Sequence, residues 1–227
     1  MKRTFLVFLA AIAVSSTLSA QKMSSESFIK KFSTGVDVFN DFVMDAPAGV
    51  DFRAINQGAN VYALYTSPVK ESNFAFAIGV GFGMHNFYSN ATLSDTSGIS
   101  FFVPIPDEAE NDEKINYDKS KLSLTYLDFP IELRFKSEKG FRFAIGAKVG
   151  VNIDAHTKYN GDDLIDGSKT KTKENYLPNI ETWRFGPTLQ VGYKWINVVG
   201  FYSVTKVFNT SGPQIYPISL GLSLRPY

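Results

Sequence analysis

The chain has 227 residues, with 23 Lys plus Arg against 22 Asp plus Glu, two His and no Cys. That composition excludes a disulfide framework, a thiolate metal site, a cysteine nucleophile and a lipid-anchoring cysteine, and the balanced charge argues against nucleic-acid binding. A mean hydropathy of -0.07 excludes a helical membrane protein. An aromatic fraction of 15% at that hydropathy fits a transmembrane barrel, whose strands alternate lipid-facing apolar with lumen-facing polar residues.

Residues 1–20 have the form of a secretory signal peptide. Lys2 and Arg3 precede an apolar run over 5–14, and residues that are small and polar apart from Leu18 lead to Ala20, after which cleavage is expected. The run is too short to cross a hydrocarbon core of roughly 30 Å. Loss of Lys2 and Arg3 leaves 21 basic and 22 acidic residues, so the mature chain stays near neutral. Residues 21–31 are expected to form a short periplasmic segment and 32–227 the barrel.

Beyond residue 30 the dominant signal is period two. The predicted strands are 32–43, 58–66, 73–88, 123–135, 141–154, 183–195, 196–207 and 214–225. In the third, Phe74, Phe76, Ile78, Val80, Phe82 and Met84 alternate with Ala, Gly and His85. In the fourth, Leu127, Phe129, Ile131, Leu133 and Phe135 oppose Asp128, Pro130, Glu132 and Arg134. The fifth sets Phe141, Phe143 and Ile145 against Arg142, Ala144 and Gly146, and the sixth sets Trp183, Phe185 and Leu189 against Arg184, Gly186 and Gln190. Pro130 and Pro187 each remove a ladder donor, so a β-bulge is expected at each.

The connections alternate. Long ones at 44–57, 89–121 and 155–181 are interleaved with short ones at 67–72, 137–140 and a tight turn near Trp195, before a medium one at 208–213. Short periplasmic turns alternating with longer extracellular loops mark an up-and-down outer-membrane barrel, and an even strand count puts both ends in the periplasm. The expected fold is therefore all-β: an eight-stranded antiparallel up-and-down transmembrane β-barrel in the outer membrane.

Period two alone also suits a soluble periplasmic lipocalin-like barrel that holds a small apolar ligand inside. The faces decide between them. Outward glycines would weaken strands with no compensating contact, whereas inward ones relieve crowding. A cation facing mid-bilayer lipid costs roughly 2–4 kcal/mol, so Arg134, Arg142, Lys148 and Arg184 are expected in the lumen or near an interface. Aromatics near strand ends, such as Tyr126, Trp183, Tyr193 and Trp195, resemble interfacial girdles.

The segment Tyr126-Leu-Asp-Phe-Pro-Ile-Glu-Leu-Arg134, with Arg184-Phe-Gly-Pro187, Gly192-Tyr-Lys194 and Leu220-Gly-Leu-Ser-Leu224, resembles the PorT-like outer-membrane β-barrel family, loosely from Phe32 to the end. The resemblance implies an eight-stranded outer-membrane barrel. Some members of that family serve protein secretion or gliding machinery, and most have no assigned activity. The chain departs from the usual pattern at its end, where Tyr227 falls out of phase with Leu220, Leu222 and Leu224 after Pro226.

The strongest polar constellation is Glu132, Arg134, Arg142, Lys148, Arg184, Gln190 and Lys194, expected to line the lumen as a structural network, because eight strands enclose only enough space for side chains. Oxygen-bearing side chains at Asp107, Glu108, Glu110, Asp112 and Glu113, and at Asn160, Asp162, Asp163 and Asp166, lack the spacing of a calcium loop and are expected to lie in solvated loops. No serine motif accompanies His85 or His156. The expectation is a non-enzymatic protein without cofactor or metal, whose partners are outer-membrane lipid and secretion or envelope proteins met through loops or periplasmic turns.

Overall fold

The computed structural model describes residues 31–70, 72–109, 114–165 and 167–225. The expected signal peptide and its cleavage site, most of the 21–31 segment, and Tyr227 lie outside the described residues. So do Glu110, Asp112, Glu113 and Asp166.

Eleven strands are formed among the described residues: β1 Phe32–Met44, β2 Gln57–Pro68, β3 Phe74–Ser89, β4 Ala91–Thr96, β5 Ile99–Pro104, β6 Tyr117–Lys136, β7 Phe141–Asp162, β8 Lys169–Asn175, β9 Trp183–Tyr193, β10 Ile196–Tyr202 and β11 Tyr216–Leu224. Eight of them close into one antiparallel barrel. The order runs β6-β3-β2-β1-β11-β10-β9-β7, and β7 returns to β6. Closure leaves no free edge at membrane depth, which a sheet in hydrocarbon requires because unpaired backbone groups have no water there.

The alternation resolves the faces. Val38 (64% exposed), Phe76 (58%), Ile131 (54%), Ile145 (51%) and Leu222 (56%) point outward, while Asp37, His85, Asp128, Glu132, Lys148 and Ser223 on the same strands are buried. A continuous apolar outer wall around a polar interior is the arrangement lipid demands. It is the reverse of a lipocalin, so the soluble-carrier alternative is set aside.

Both prolines are accommodated without the expected bulges. The β3–β6 ladder omits the pairs of Gly79 with Pro130 and Val80 with Phe129, then resumes in the same register at Gly81 and Asp128, so Pro130 costs a gap and no shift. Pro187 sits just past Thr188, the last β9 residue paired with β10, where no donor is needed. The bulge that does occur on the membrane side lies between Thr125 and Tyr126, with Ile153 the extra residue on β7.

The turn between β9 and β10 holds two residues, Lys194 and Trp195, flanked by the pair Tyr193 and Ile196. Lys194 takes a φ of 53°, which lets a glycine-free turn close. Strand β1 begins and β11 ends beside this turn, since Val36 and Ile196 both pair with Leu224. Both barrel termini therefore lie at the end that carries the short turns.

The expected long loops at 89–121 and 155–181 contain more structure than their patterns suggest. Strands β4 and β5 pair as a hairpin. Strands β6 and β7 run on together as far as the pair Tyr117 and Gly161, and β8 adds to the upper half of β7 from His156 to Asp162. The lower half of β7, Phe141 to Val151, is held by β9. A tilted strand needs about 9–11 residues to cross a bilayer, so roughly half of the 22-residue β7 projects beyond it. In the other direction β10 stops at Tyr202, short of Val207, which turns inward to the core.

Candidate functional site: the barrel lumen

The interior is layered along the barrel axis. Nearest the short turns, Glu132 accepts hydrogen bonds from Arg134 Nε (2.8 Å) and Arg225 Nη1 (2.9 Å). Arg134 Nη1 also donates to Thr66 Oγ1 at 2.9 Å, and Arg142 Nη1 reaches the Arg225 carbonyl at 3.4 Å. Arg225 Nη2 then donates to Tyr62 Oη (2.8 Å), whose hydroxyl lies 2.8 Å from Asp37 Oδ1 and 2.9 Å from Ser223 Oγ.

A second cluster lies further in. Arg184 donates from Nε to Asp128 Oδ1 (3.1 Å) and from Nη2 to Asp128 Oδ2 (2.7 Å), the two-pronged geometry that suits a guanidinium to a carboxylate. Lys148 Nζ approaches the same Asp128 Oδ2 at 3.5 Å and sits 4.1 Å above the Phe201 ring centre. The remaining Arg184 prong, Nη1, is 2.6 Å from His85 Nε2. Because the guanidinium can only donate, Nε2 is the acceptor, so Nδ1 carries the proton toward Asp41 Oδ2 at 2.7 Å. Ser219 Oγ donates to the other Asp41 oxygen at 2.6 Å. Four carboxylates thus face five cations in the lumen, every one of them buried.

Between the clusters is a cavity of about 50 Å³ whose lining includes Asp37, Asn60, Lys148, Gln190 and Arg225. It has room for a few waters and is well below the roughly 300 Å³ at which ligand pockets begin. Toward the hairpin end the polar layers give way to an apolar core of Phe87, Leu122, Leu124, Tyr126, Val207, Phe208 and Ile215, covered by Phe52 and Phe102. The rings of Phe52 and Phe208 each meet Phe102 edge-on, at 5.7 and 5.9 Å, so loop and hairpin residues close that mouth.

Six of the seven residues expected in the lumen are buried there: Glu132, Arg134, Arg142, Lys148, Arg184 and Gln190. The seventh, Lys194, is not among them. Strand β9 ends at Tyr193, and Lys194 occupies the exposed turn, where its amide donates to the Gly140 carbonyl (2.8 Å) and its ammonium lies 5.3 Å from the Tyr193 ring centre. Sequence reasoning did not single out Asp37, Asp41, Tyr62, His85, Asp128 and Arg225, all of which the structure places in the network. Phase was the available signal: Asp37 and Asp41 alternate with Val36, Val38 and Phe42, and Arg225 continues the inward series Ser219, Gly221, Ser223.

Among the described residues no three His, Cys, Asp or Glu side chains converge into a metal site. In the third long connection Asp162 is engaged by Lys169 Nζ (2.6 Å) and the Asn116 amide (2.8 Å), and Asp163 Oδ1 caps the Ile165 amide at 2.9 Å. Both carboxylates hold the hairpin together.

A closed eight-stranded barrel with an apolar exterior and a charged, packed interior defines a transmembrane outer-membrane barrel. The chain belongs to the outer membrane protein β-barrel domain family, whose model matches residues 20–209. Similar solved structures include Ail, the attachment invasion locus protein of Yersinia pestis, alone (12% identity, 86% of this chain and 97% of that one, TM-score 0.38) and in complex with the heparin analogue sucrose octasulfate (11%, the same coverage, TM-score 0.37). A triple-mutant Rhodopseudomonas blastica porin is also similar (10%, 86% and 99%, TM-score 0.22). No curated protein matches the chain.

Proposed function

We propose that this protein is a non-conducting, non-enzymatic outer-membrane barrel whose lumen network is structural and whose working surface is the projecting β4–β5 hairpin and β6–β7–β8 sheet. Short turns on outer-membrane barrels face the periplasm, so the hairpins face outward from the cell. The observation that carries the reading is the lumen itself, crossed by paired charges and roofed by the Phe87, Phe102 and Phe208 cluster; the cavity of about 200 Å³ beside Arg134, Arg142 and Asn197 at the short-turn end stays below the roughly 300 Å³ at which ligand pockets begin. Partners are then envelope proteins, including components of secretion or gliding machinery, met at the hairpins or at the periplasmic turns.

Two measurements test this. In planar bilayers the purified chain gives no stepwise conductance, and a reproducible open-channel current would sink the non-conducting reading. In cells, deletion of the gene lowers the export of secreted proteins, whereas unchanged export and motility remove the secretion and gliding role.

A further inference from the structure

Above the apolar belt, the outward face of the β6–β7–β8 sheet carries six lysines against two carboxylates, Asp162 and Asp118, the latter accepting a hydrogen bond from Asn160. Lys121, Lys158 and Lys173 stand directly opposite one another across the three strands, and Lys119 and Lys171 flank Asn160 in the next row. Lys169 follows one row further, opposite Asp162. Like charges facing each other across a ladder destabilise it. Among the described residues none of Lys119, Lys158, Lys171 and Lys173 makes an ion pair with a carboxylate. Burial, and then the neighbouring Lys119 and Lys158 ammoniums, hold Lys121 below the usual lysine range. Beside this row the Tyr88 ring is flanked by Lys121 at 5.5 Å and Arg53 at 5.3 Å.

The location identifies the counter-charge. Lys119 and Lys121 keep the odd phase of Phe129 and Ile131 on β6, and Tyr88 keeps the even phase of Phe82 and Met84 on β3, so the cations point sideways toward the surrounding leaflet. On β7, Lys158 is five residues beyond the exposed Ile153. At about 3.3 Å per residue and a tilt of about 40°, that puts its row about 13 Å above the belt. Sugar headgroups of an outer-leaflet glycolipid occupy that layer, and their phosphates are multivalent anions.

We propose that the lysine face of β6, β7 and β8, with Arg53 and Tyr88 beside it, is a docking surface for the phosphorylated sugar headgroup of an outer-leaflet glycolipid. The proposal rests on the outer-membrane placement and goes beyond it by naming the lipid. Bound phosphate would relieve the opposed lysines and fasten the projecting sheet to the membrane plane.

The test is native mass spectrometry of the detergent-solubilised full chain with bis-phosphoryl lipid A or fully dephosphorylated lipid A as probe. The expected result is a one-to-one adduct with the phosphorylated form, at least tenfold weaker with the dephosphorylated form and in the variant K158Q/K171Q/K173Q. The control K70Q/K139Q/K194Q, altered at the short turns, keeps the adduct. Equal binding of both lipids, an unchanged adduct in K158Q/K171Q/K173Q, or loss in the control would each overturn the proposal. Binding of a soluble sulfated polysaccharide without binding of lipid A would overturn it as well, and assign the row to a soluble polyanion. Heat-dependent gel mobility is read on every variant. A chain without that shift fails as a barrel, whereas a chain that shifts but ignores lipid A fails only here.

Discussion

Asp128 and Arg184 pair across a strand that lies between them: both are direct cross-strand neighbours of Gly150, and their two hydrogen bonds, at 3.1 and 2.7 Å, pass over the place where that residue has no side chain. Both partners are buried, and Lys148 and His85 are joined to them. Removing one member of a buried ion pair leaves the other uncompensated and costs about 3–5 kcal/mol, while replacing both by apolar groups costs much less. Asp128→Leu and Arg184→Met, like Asp128→Asn, are each expected to lower the unfolding free energy in detergent by that order, and the double variant D128L/R184M by less than the sum of its two single changes. Strict additivity would show that the pair does not act as a unit.

Gly150 is the enabling position for this pair. A Cβ there would collide with the Asp128 carboxylate and lie 3.0 Å from Arg184 Cγ. Gly150→Ala is therefore expected to lose stability comparable to Asp128→Asn, and to add little on top of it in G150A/D128N. Gly200, whose Cβ would meet nothing nearer than 3.9 Å, is the contrast, and Gly200→Ala should leave the unfolding free energy within about 0.5 kcal/mol of the native protein. Thermal or urea unfolding of the four variants decides the matter, and a harmless G150A would refute the role given to the glycine.

Legibility in the sequence tracks where lipid imposes a pattern. Strands β3, β6, β7 and β9 carry a large apolar or aromatic residue at every second position within the belt except at Ala147 and Pro187, and their faces follow from that alone. The pattern ends where the hydrocarbon ends. β8, Lys-Thr-Lys-Thr-Lys-Glu-Asn, has perfect period two but no apolar face, and the upper half of β7 is polar on both sides, so both looked like loop. The lumen was legible as a face but not as pairs. Arg184 and Asp128 are 56 residues apart, and only barrel closure and register bring them together. Lys194 shares the phase of Arg184 and Gln190, yet the turn begins one residue too soon for phase to matter.

The outer wall yields a direct test of its solvent. Ile131 is 54% exposed and pairs with Ile78 and Ala147 near the middle of the apolar belt. In lipid, Ile131→Arg costs roughly 2–4 kcal/mol, which should appear as impaired folding into vesicles and a lower unfolding midpoint. A charge-conserving change outside the belt, Lys171→Arg, leaves both unaltered. On a soluble barrel an exposed Ile131→Arg would be harmless, so a neutral result would argue against lipid contact.

The mouth of the barrel is held by a different force. Phe208 is fully buried in the apolar core beneath the β4–β5 hairpin and meets Phe102 edge-on at 5.9 Å. Phe208→Ala removes about 3–5 kcal/mol of packing at a point above the membrane-spanning ladders. The expected outcome is faster proteolysis within residues 89–116 with heat-dependent mobility of the barrel preserved. Loss of that mobility shift would mean that cap and barrel fold as one cooperative unit.

The upper hairpin should also respond to acid. The hydrogen bond from Lys169, followed by the one from the Asn116 amide, holds the Asp162 carboxyl below the usual carboxylate range. A carboxyl with a lower pKa folded than unfolded contributes its full stabilisation above the unfolded value, about 3.9. That contribution drains away as the pH falls through the folded value. Once corrected for intrinsic exchange, amide protection in β8 is therefore expected to stay flat from about pH 7 to 5 and to drop below about pH 4. Asp162→Asn, which cannot titrate, should start with lower protection and lose the acid-dependent step. A wild-type profile without that step, or an unchanged step in Asp162→Asn, would remove Asp162 as the residue that ties β8 to β7.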